Sequence, residues 1–315
     1  MHVGDLCRQM PNKEVARLER IHEHTVKDLD KVYMAKQLAQ AGTPSPRAIG
    51  IDELSIRKGH DYRIIVSDLE KGRPIWVGGS GRKEEDLDLF FAQLGPKKAQ
   101  RIELAVMDMW KAFKSSTVKN APQAQIIYDK FHILRHLNDA LDEVRRQEYH
   151  RLSGKNRSYI KGHRYTLLSG WENLTLDGQQ SLKKLFGANR RLNVAYLLKE
   201  SFGELWSYNT PGWARRFFDN WRESLKWQRL PAYEKFAAMV DRNWEGIVSY
   251  CHPENKVSLG MVEGINNKIR VLQRRAYGYR DEEYLKLKII AAFLPPLNLS
   301  PRIGKRRHLF DEISR

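Results

Sequence analysis

Three acidic residues stand where an acid is conspicuous. Asp52 closes the run Ala48-Ile49-Gly50-Ile51-Asp52, so its carboxylate falls at the end of an apolar stretch, where burial is costly for a charge unless something cationic meets it. Leu104-Ala105-Val106-Met107-Asp108 repeats the arrangement. Ligands of α/β sheets gather at such strand ends, although a single acid after a strand is also an ordinary turn or helix-cap residue. The third acid, Glu263, lies in Leu259-Gly260-Met261-Val262-Glu263-Gly264-Ile265-Asn266-Asn267-Lys268-Ile269-Arg270. There Val262, Ile265, Ile269 and Leu272 form one apolar helical stripe, and Glu263, Asn267, Arg270 and Arg274 form the stripe beside it. Alone, Glu263 reads equally well as a surface residue in helix ion pairs. His132 and His136 are four apart, as zinc-binding pairs are, but neither a Glu nor a third ligand accompanies them, and zinc is rejected.

The elements that position these residues follow from hydrophobic period. Strands are expected over 48–54, 61–67 and 74–78, with turns at Lys58-Gly59 and Lys71-Gly72. An amphipathic helix over 84–94, a strand over 102–107, a helix from Trp110 and a strand over 125–128 complete a β-β-β-α-β-α-β order, a mixed α/β layout. Residues 135–255 lack strand-like runs and hold six of the eight tryptophans, so they read as a helical block. Helices over 259–275 and 281–293 follow. Before the core, Val15 and Leu18, then Val26, Leu29 and Tyr33, mark two short helices broken at Ile21-His22-Glu23-His24, the outline of part of a helix-turn-helix or of a plain helical hairpin. Ala41-Gly42-Thr43-Pro44-Ser45-Pro46 reads as the linker after them, because its prolines stop a helix.

Composition narrows the partners. Of 315 residues 41% are hydrophobic and 30% charged, an ordinary folded protein of about two domains' length. Cys7 and Cys251 alone make neither a disulfide framework nor a cysteine-based zinc module, and a reducing, cytoplasmic setting is expected. The apolar run Ile289 to Leu294 ends at Pro295-Pro296, so no membrane span is expected. The net charge of +17 is lopsided: residues 1–150 carry 25 basic and 22 acidic side chains, residues 151–315 carry 30 and 16. A polyanion is the expected partner of the second half. Nucleic acid fits better than an anionic membrane surface, since the cations are spread through ordinary amphipathic segments without a lipid anchor.

At this point the chain resembles the insertion-sequence transposases of the ISL3 type, members of the DDE group. The resemblance covers about residues 47 to 297. It rests on Gly50-Ile51-Asp52-Glu53, Met107-Asp108-Met109-Trp110, Tyr128-Asp129-Lys130-Phe131-His132, Val262-Glu263-Gly264-Ile265-Asn266-Asn267-Lys268 and Arg275-Ala276-Tyr277-Gly278-Tyr279. It implies an RNase H-like mixed sheet with a large all-helical insertion before the last catalytic helix. The parts would be a short N-terminal helical segment (1–46), the first part of the core (47–134), the insertion (135–255), the last part of the core (256–297) and a basic tail (298–315).

The resemblance also implies that Asp52, Asp108 and Glu263 are the catalytic acids and ligands of two Mg²⁺ ions, with Mn²⁺ able to substitute; oxygen donors suit such hard cations. Asp52 would bridge the ions while Asp108 and Glu263 flank one each. Two such ions activate a water or 3′-hydroxyl on one side of a phosphodiester and stabilise the leaving oxygen on the other. Asp129 and His132 would support the active site; their plainer reading is a helix cap and a histidine packed beside it. The activity implied is cleavage at element ends and transfer of 3′-hydroxyl ends to target DNA, by a homo-oligomer working in the nucleoid on terminal inverted repeats. A catalytically inactive DNA-binding remnant and a metal nuclease without strand transfer are the alternatives. Relatives of this type begin with a cysteine-rich zinc module and a complete helix-turn-helix; with two cysteines and a short segment before Pro44, a shortened or diverged member is expected.

Lys268, Arg270, Arg274 and Arg275 share the helix of Glu263 and are the preferred DNA contacts. Arg215, Arg216 and Arg222 lie in Trp213-Ala214-Arg215-Arg216-Phe217-Phe218-Asp219-Asn220-Trp221-Arg222, which mixes cations with aromatics as a phosphate- and base-binding surface does. Trp213, Phe217, Trp221 and Leu225 also recur every four residues, which predicts core packing of that helix with the arginines facing outward.

Overall fold

The computed structural model describes residues 2–57, 61–258 and 260–297. The expected turn at Lys58-Gly59 and the basic tail 298–315 lie outside the described residues. The chain divides into two compact units, one of residues 44–267 and one formed by residues 1–43 together with the chain from Lys268 onward.

The first unit is built on a five-stranded mixed sheet: β1 (Ala48–Arg57), β2 (Asp61–Asp68), β3 (Arg73–Gly78), β4 (Leu104–Met107) and β5 (Gln125–Tyr128), in the order β3-β2-β1-β4-β5. β1, β2 and β3 pair antiparallel as a meander, whereas β4 and β5 add to β1 in parallel. The apolar runs Ile49 to Ile51 and Ala105 to Met107 are buried, as is the stretch Ile64 to Asp68 of β2. The strands agree with expectation except that β4 begins at Leu104 and β1 runs on to Arg57. Ile102 is nonetheless fully buried, so its apolar character reports burial before the ladder begins.

Helices Glu84–Leu94 and Lys111–Asn120 connect the strands, and a long helix, Lys130–Arg151, leaves β5. Beyond it the described chain to Asn255 is helices and short 3₁₀ turns without a strand, including Arg190–Phe202, Pro211–Glu223 and Pro231–Arg242. Phe202 centres their packing, edge-on to Trp206, Phe218, Trp221 and Phe236. These aromatics belong to one continuous hydrophobic cluster with Ile49, Val106 and Ile127 of the sheet. Edge-to-face aromatic pairs add about 0.5–1.5 kcal/mol each beyond their burial, which explains the concentration of tryptophan here.

In the second unit, helices His2–Gln9, Asn12–Glu19 and Glu23–Ala41 pack with helix Glu282–Ala291. The two N-terminal helices expected over 12–40 are present, and His2–Gln9 adds a third. Asp30 and Lys288, both buried, form an ion pair of 2.6 Å, and Tyr284 donates its hydroxyl to Asp30. Asp281 caps the last helix by accepting from the Tyr284 N–H and pairs with Lys27 and Lys31, which hold its carboxyl well below the usual carboxylate range. Sequence period puts the helix of Glu263 in one element, and one element it is (Gly260–Arg275), but the division falls inside it, at Lys268. The physical reason is the buried Asp30–Lys288 pair and the Met34, Tyr284 and Ala291 cluster, which tie the C-terminal helix to residues before the linker. No described helix is long and apolar enough to cross a membrane.

Candidate active site

The parallel register builds the site. Ile51 lies opposite Met107 and Met107 opposite Tyr128, so the next residue of each strand, Asp52, Asp108 and Asp129, emerges at the same edge of the sheet. Three neighbouring acids, Asp52 partway along β1 and Asp108 and Asp129 just past the ends of β4 and β5, repel one another, and one cation stands among them. His132, in the first turn of the helix that Asp129 caps, places Nδ1 2.9 Å from Asp108 Oδ2 and Nε2 3.9 Å from Asp52 Oδ1. The hydrogen bond to Asp108, reinforced by the charges of Asp108, Asp52 and Asp129, raises the His132 pKa to about 9, so the ring carries a proton at neutral pH.

Each acid has its own environment. Burial pushes the Asp52 carboxyl above the usual range, against the Glu53 N–H, 2.7 Å from Oδ1, and the Asn266 amide, which donates to Oδ2. Asp108 is held below the usual range: burial acts upward, but the His132 hydrogen bond and charge and the Met109 N–H, at 2.6 Å, outweigh it. Asp129 is buried, accepts from the Phe131 N–H at 2.9 Å as the helix cap, and is raised to about 6 by burial and by the charges of Asp52 and Asp108. Asp129 is thus the helix cap of the plainer reading, and His132 beside it also lies against Asp52 and Asp108.

The helix of Glu263 reaches this edge through a glycine. A Cβ on Gly50 would stand 2.7 Å from Val262 Cγ2 and 2.9 Å from Leu69 Cδ2, so only glycine lets the helix approach β1 two residues before Asp52. The residue that makes contact is Asn266, buried beside Val262 and Ile265, while Glu263 is exposed on the first turn. The structure thus brings Asp52, Asp108, Asp129 and His132 together and leaves Glu263 apart from them. Among the described residues no three His, Cys, Asp or Glu side chains are placed to hold a metal ion together. The donor chemistry of the pair fits a hard divalent cation nevertheless: Asp52 and Asp108 are adjacent carboxylates, and burial of the first is a penalty that a cation relieves.

Two contributors were not legible as functional. Asn266 falls on the apolar stripe rather than the polar one, and its only signal is that it is a polar residue in that stripe, one turn after Glu263. Glu53, next to Asp52, is raised by burial and pairs with Arg82 at 2.8 Å, and the Arg82 guanidinium stacks 3.9 Å from the Tyr62 ring centre.

The expected DNA contacts divide. Lys268, Arg270 and Arg274 are exposed, with Lys268 lying 4.1 Å over the Phe293 ring. Arg275 is committed inward, donating to the Arg8 and Gln9 carbonyls at 2.8 and 3.1 Å. Arg215 pairs with Asp219 and Asp241, and Arg222 with Asp241, so these two cations are largely balanced within the chain. Arg216 is exposed beside Trp213. Trp213 is itself 59% exposed, whereas Trp221 and Leu225 of the same four-residue series are buried together with Ala214 and Phe218.

Comparison with known proteins supplies the family. A model of ISL3-type DDE transposases, described as "Transposase", matches residues 49–289. The chain is 37% identical over 283 residues to the transposase for insertion sequence element IS1001 of Bordetella parapertussis, covering 89% of this chain and 69% of that protein. It is 29% identical over 262 residues to the transposase for insertion sequence element IS1557 of Mycobacterium tuberculosis, covering 76% of this chain and 58% of that protein. The matched family segment contains the sheet from Ile49 onward and the acid cluster, and the chain belongs to the ISL3-type transposase family.

Proposed function

We propose that the protein is the DNA transposase of an insertion sequence, cleaving strands at element ends and transferring the 3′-hydroxyl ends to target DNA. The observation that carries this reading is the register of Ile51 with Met107, which delivers Asp52 and Asp108 side by side to the edge where His132 waits between them. In this reading the sheet is an RNase H-like core and the helical stretch 135–255 is an insertion before the last catalytic helix. Asp52 and Asp108 would hold the divalent metal, two Mg²⁺ ions or Mn²⁺, whose chemistry is to activate the attacking oxygen and stabilise the leaving oxygen of a phosphodiester; Glu263, the third acid the family resemblance implies, stands apart from them in this structure.

The chain's own residues do the rest. The Glu53 N–H and Asn266 fix the two oxygens of Asp52, so this carboxylate is oriented before any ligand arrives. Protonated His132 orients Asp108 and offsets the charge of the cluster. Asp129 anchors His132 by capping their common helix. Lys268, Arg270 and Arg274 supply exposed positive charge for DNA phosphates, and a homo-oligomer would hold both ends.

The test is an excision and joining assay on a marker flanked by the DNA that borders the gene, comparing wild type with Asp108→Asn at matched expression. Divalent-metal-dependent joined products from wild type alone support the transposase. Cleaved but unjoined DNA supports a nuclease, and no product from either chain with DNA binding intact supports a non-catalytic binding protein.

A further inference from the structure

The segment Arg275-Ala276-Tyr277-Gly278-Tyr279 ends the helix Gly260–Arg275, and its two tyrosines have opposite fates. Tyr279 packs against Tyr284, ring centres 5.7 Å apart, at the edge of a buried cluster. Tyr277 is 95% exposed, the most exposed large hydrophobic side chain among the described residues. Its backbone is also in the left-handed region, with φ of +53°.

The hydrogen bonds explain the backbone. Gly278 N–H donates to the Gln273 carbonyl and Tyr277 N–H to the Arg274 carbonyl, 3.2 and 3.1 Å, the paired bonds of a Schellman helix end. In that motif the residue at Tyr277's place is left-handed and is usually glycine, because a Cβ there crowds the neighbouring carbonyl oxygen. Folding therefore gains nothing visible from this tyrosine: the position disfavours a Cβ, and the ring buries almost no surface.

An aromatic ring held out at a strained position is explained by a ligand for its face. Arg270, Arg274 and Arg280, all exposed in the same unit, surround it in sequence, and the chain carries +17, so a cationic or neutral apolar partner is a poor match. We infer that Tyr277 is a stacking residue that receives an unpaired base of DNA while the neighbouring arginines take the adjoining phosphates. A base offers a flat face to the ring whatever its identity, and its own strand provides the anionic complement. This inference rests on DNA being the partner, and the experiment separates the two.

The probe is a DNA duplex with 2-aminopurine in a short internal bubble, compared with the same duplex fully paired, both titrated with the full chain at one low salt concentration. Wild type is expected to bind the bubble more tightly and to quench its fluorescence. Tyr277→Gly should weaken bubble binding about tenfold and abolish the quenching, with affinity for the paired duplex unchanged and no fall in the unfolding midpoint. Tyr277→Phe should behave as wild type. Full bubble preference in Tyr277→Gly, or equal loss on both DNAs, overturns the stacking role. A wild-type chain that binds neither DNA overturns the DNA reading itself, and the inference with it.

Discussion

Asp30 and Asp52 are both acids withdrawn from water, and the molecule treats them differently. Asp30 meets Lys288 and the Tyr284 hydroxyl inside its own unit, so its charge is answered where it stands. Asp52 shares the sheet edge with Asp108 and Asp129, and among the described residues the cation placed against them is His132. An acid balanced internally holds helices together. A cluster with more negative charge than the chain supplies cations to balance is poised for something from outside. The second arrangement costs stability, and a fold retains such a cost where chemistry is done.

Substitutions break this comparison most visibly at its two ends. Lys288→Met strands a buried carboxylate and should lower stability by about 3–5 kcal/mol in denaturant unfolding. Asp52→Asn should cost no stability, because it removes a charge that burial already disfavours. Equal losses in the two variants would dissolve the distinction.

Asp129 sharpens it through pH. Its folded pKa, raised to about 6 from an ordinary value of 3.8, means the folded chain holds its proton more tightly than the unfolded chain. Stability contributed by this group is therefore full below pH 3.8 and lost as pH rises through about 6. Asp129→Asn keeps a good cap residue and should stabilise the metal-free chain by about 2 kcal/mol at pH 8, with no gain at pH 3.5, by denaturant titration at both pH values. His132 acts in the same direction over a higher window: its contribution is complete below pH 6.5 and disappears as pH rises through about 9. His132→Gln should remove that upper decline.

The smallest expected effect lies at the basic surface. Arg270→Ala with Arg274→Ala should weaken binding to all DNA sequences alike and reduce the slope of log affinity against log salt by about 2. Arg215→Ala with Arg222→Ala should change the slope less, since Asp219 and Asp241 already balance those cations. A sequence-selective loss in the first pair would remove it from the phosphate contacts.

Much of this was legible because it is local. The apolar run ending in Asp108 announces a strand end, the similar run to Asp52 marks only where the parallel partners stop because β1 continues to Arg57, and Asp129 three residues before His132 announces a cap and its first turn. What was hidden depends on phase or distance. The polar stripe of the Glu263 helix points to Asn267, yet Asn266 is the residue that meets Asp52, because the apolar face turned toward β1 carries it there. The Asp30–Lys288 pair joins residues on opposite sides of the entire sheet unit in sequence, and no period reports such a contact. Arg215 and Arg222 looked outward-facing, and it took the packing of the following helix to bring Asp241 to them.

The most direct measurement is Mn²⁺ binding followed by electron paramagnetic resonance, on the full chain and on Asp52→Asn and Asp108→Asn, with Lys288→Arg as a control at the internally balanced acid. Wild type and the control are expected to bind Mn²⁺, and each acid variant to lose that binding while remaining folded. Undiminished Mn²⁺ binding in both acid variants would contradict the assignment of the sheet edge as the cation-holding centre.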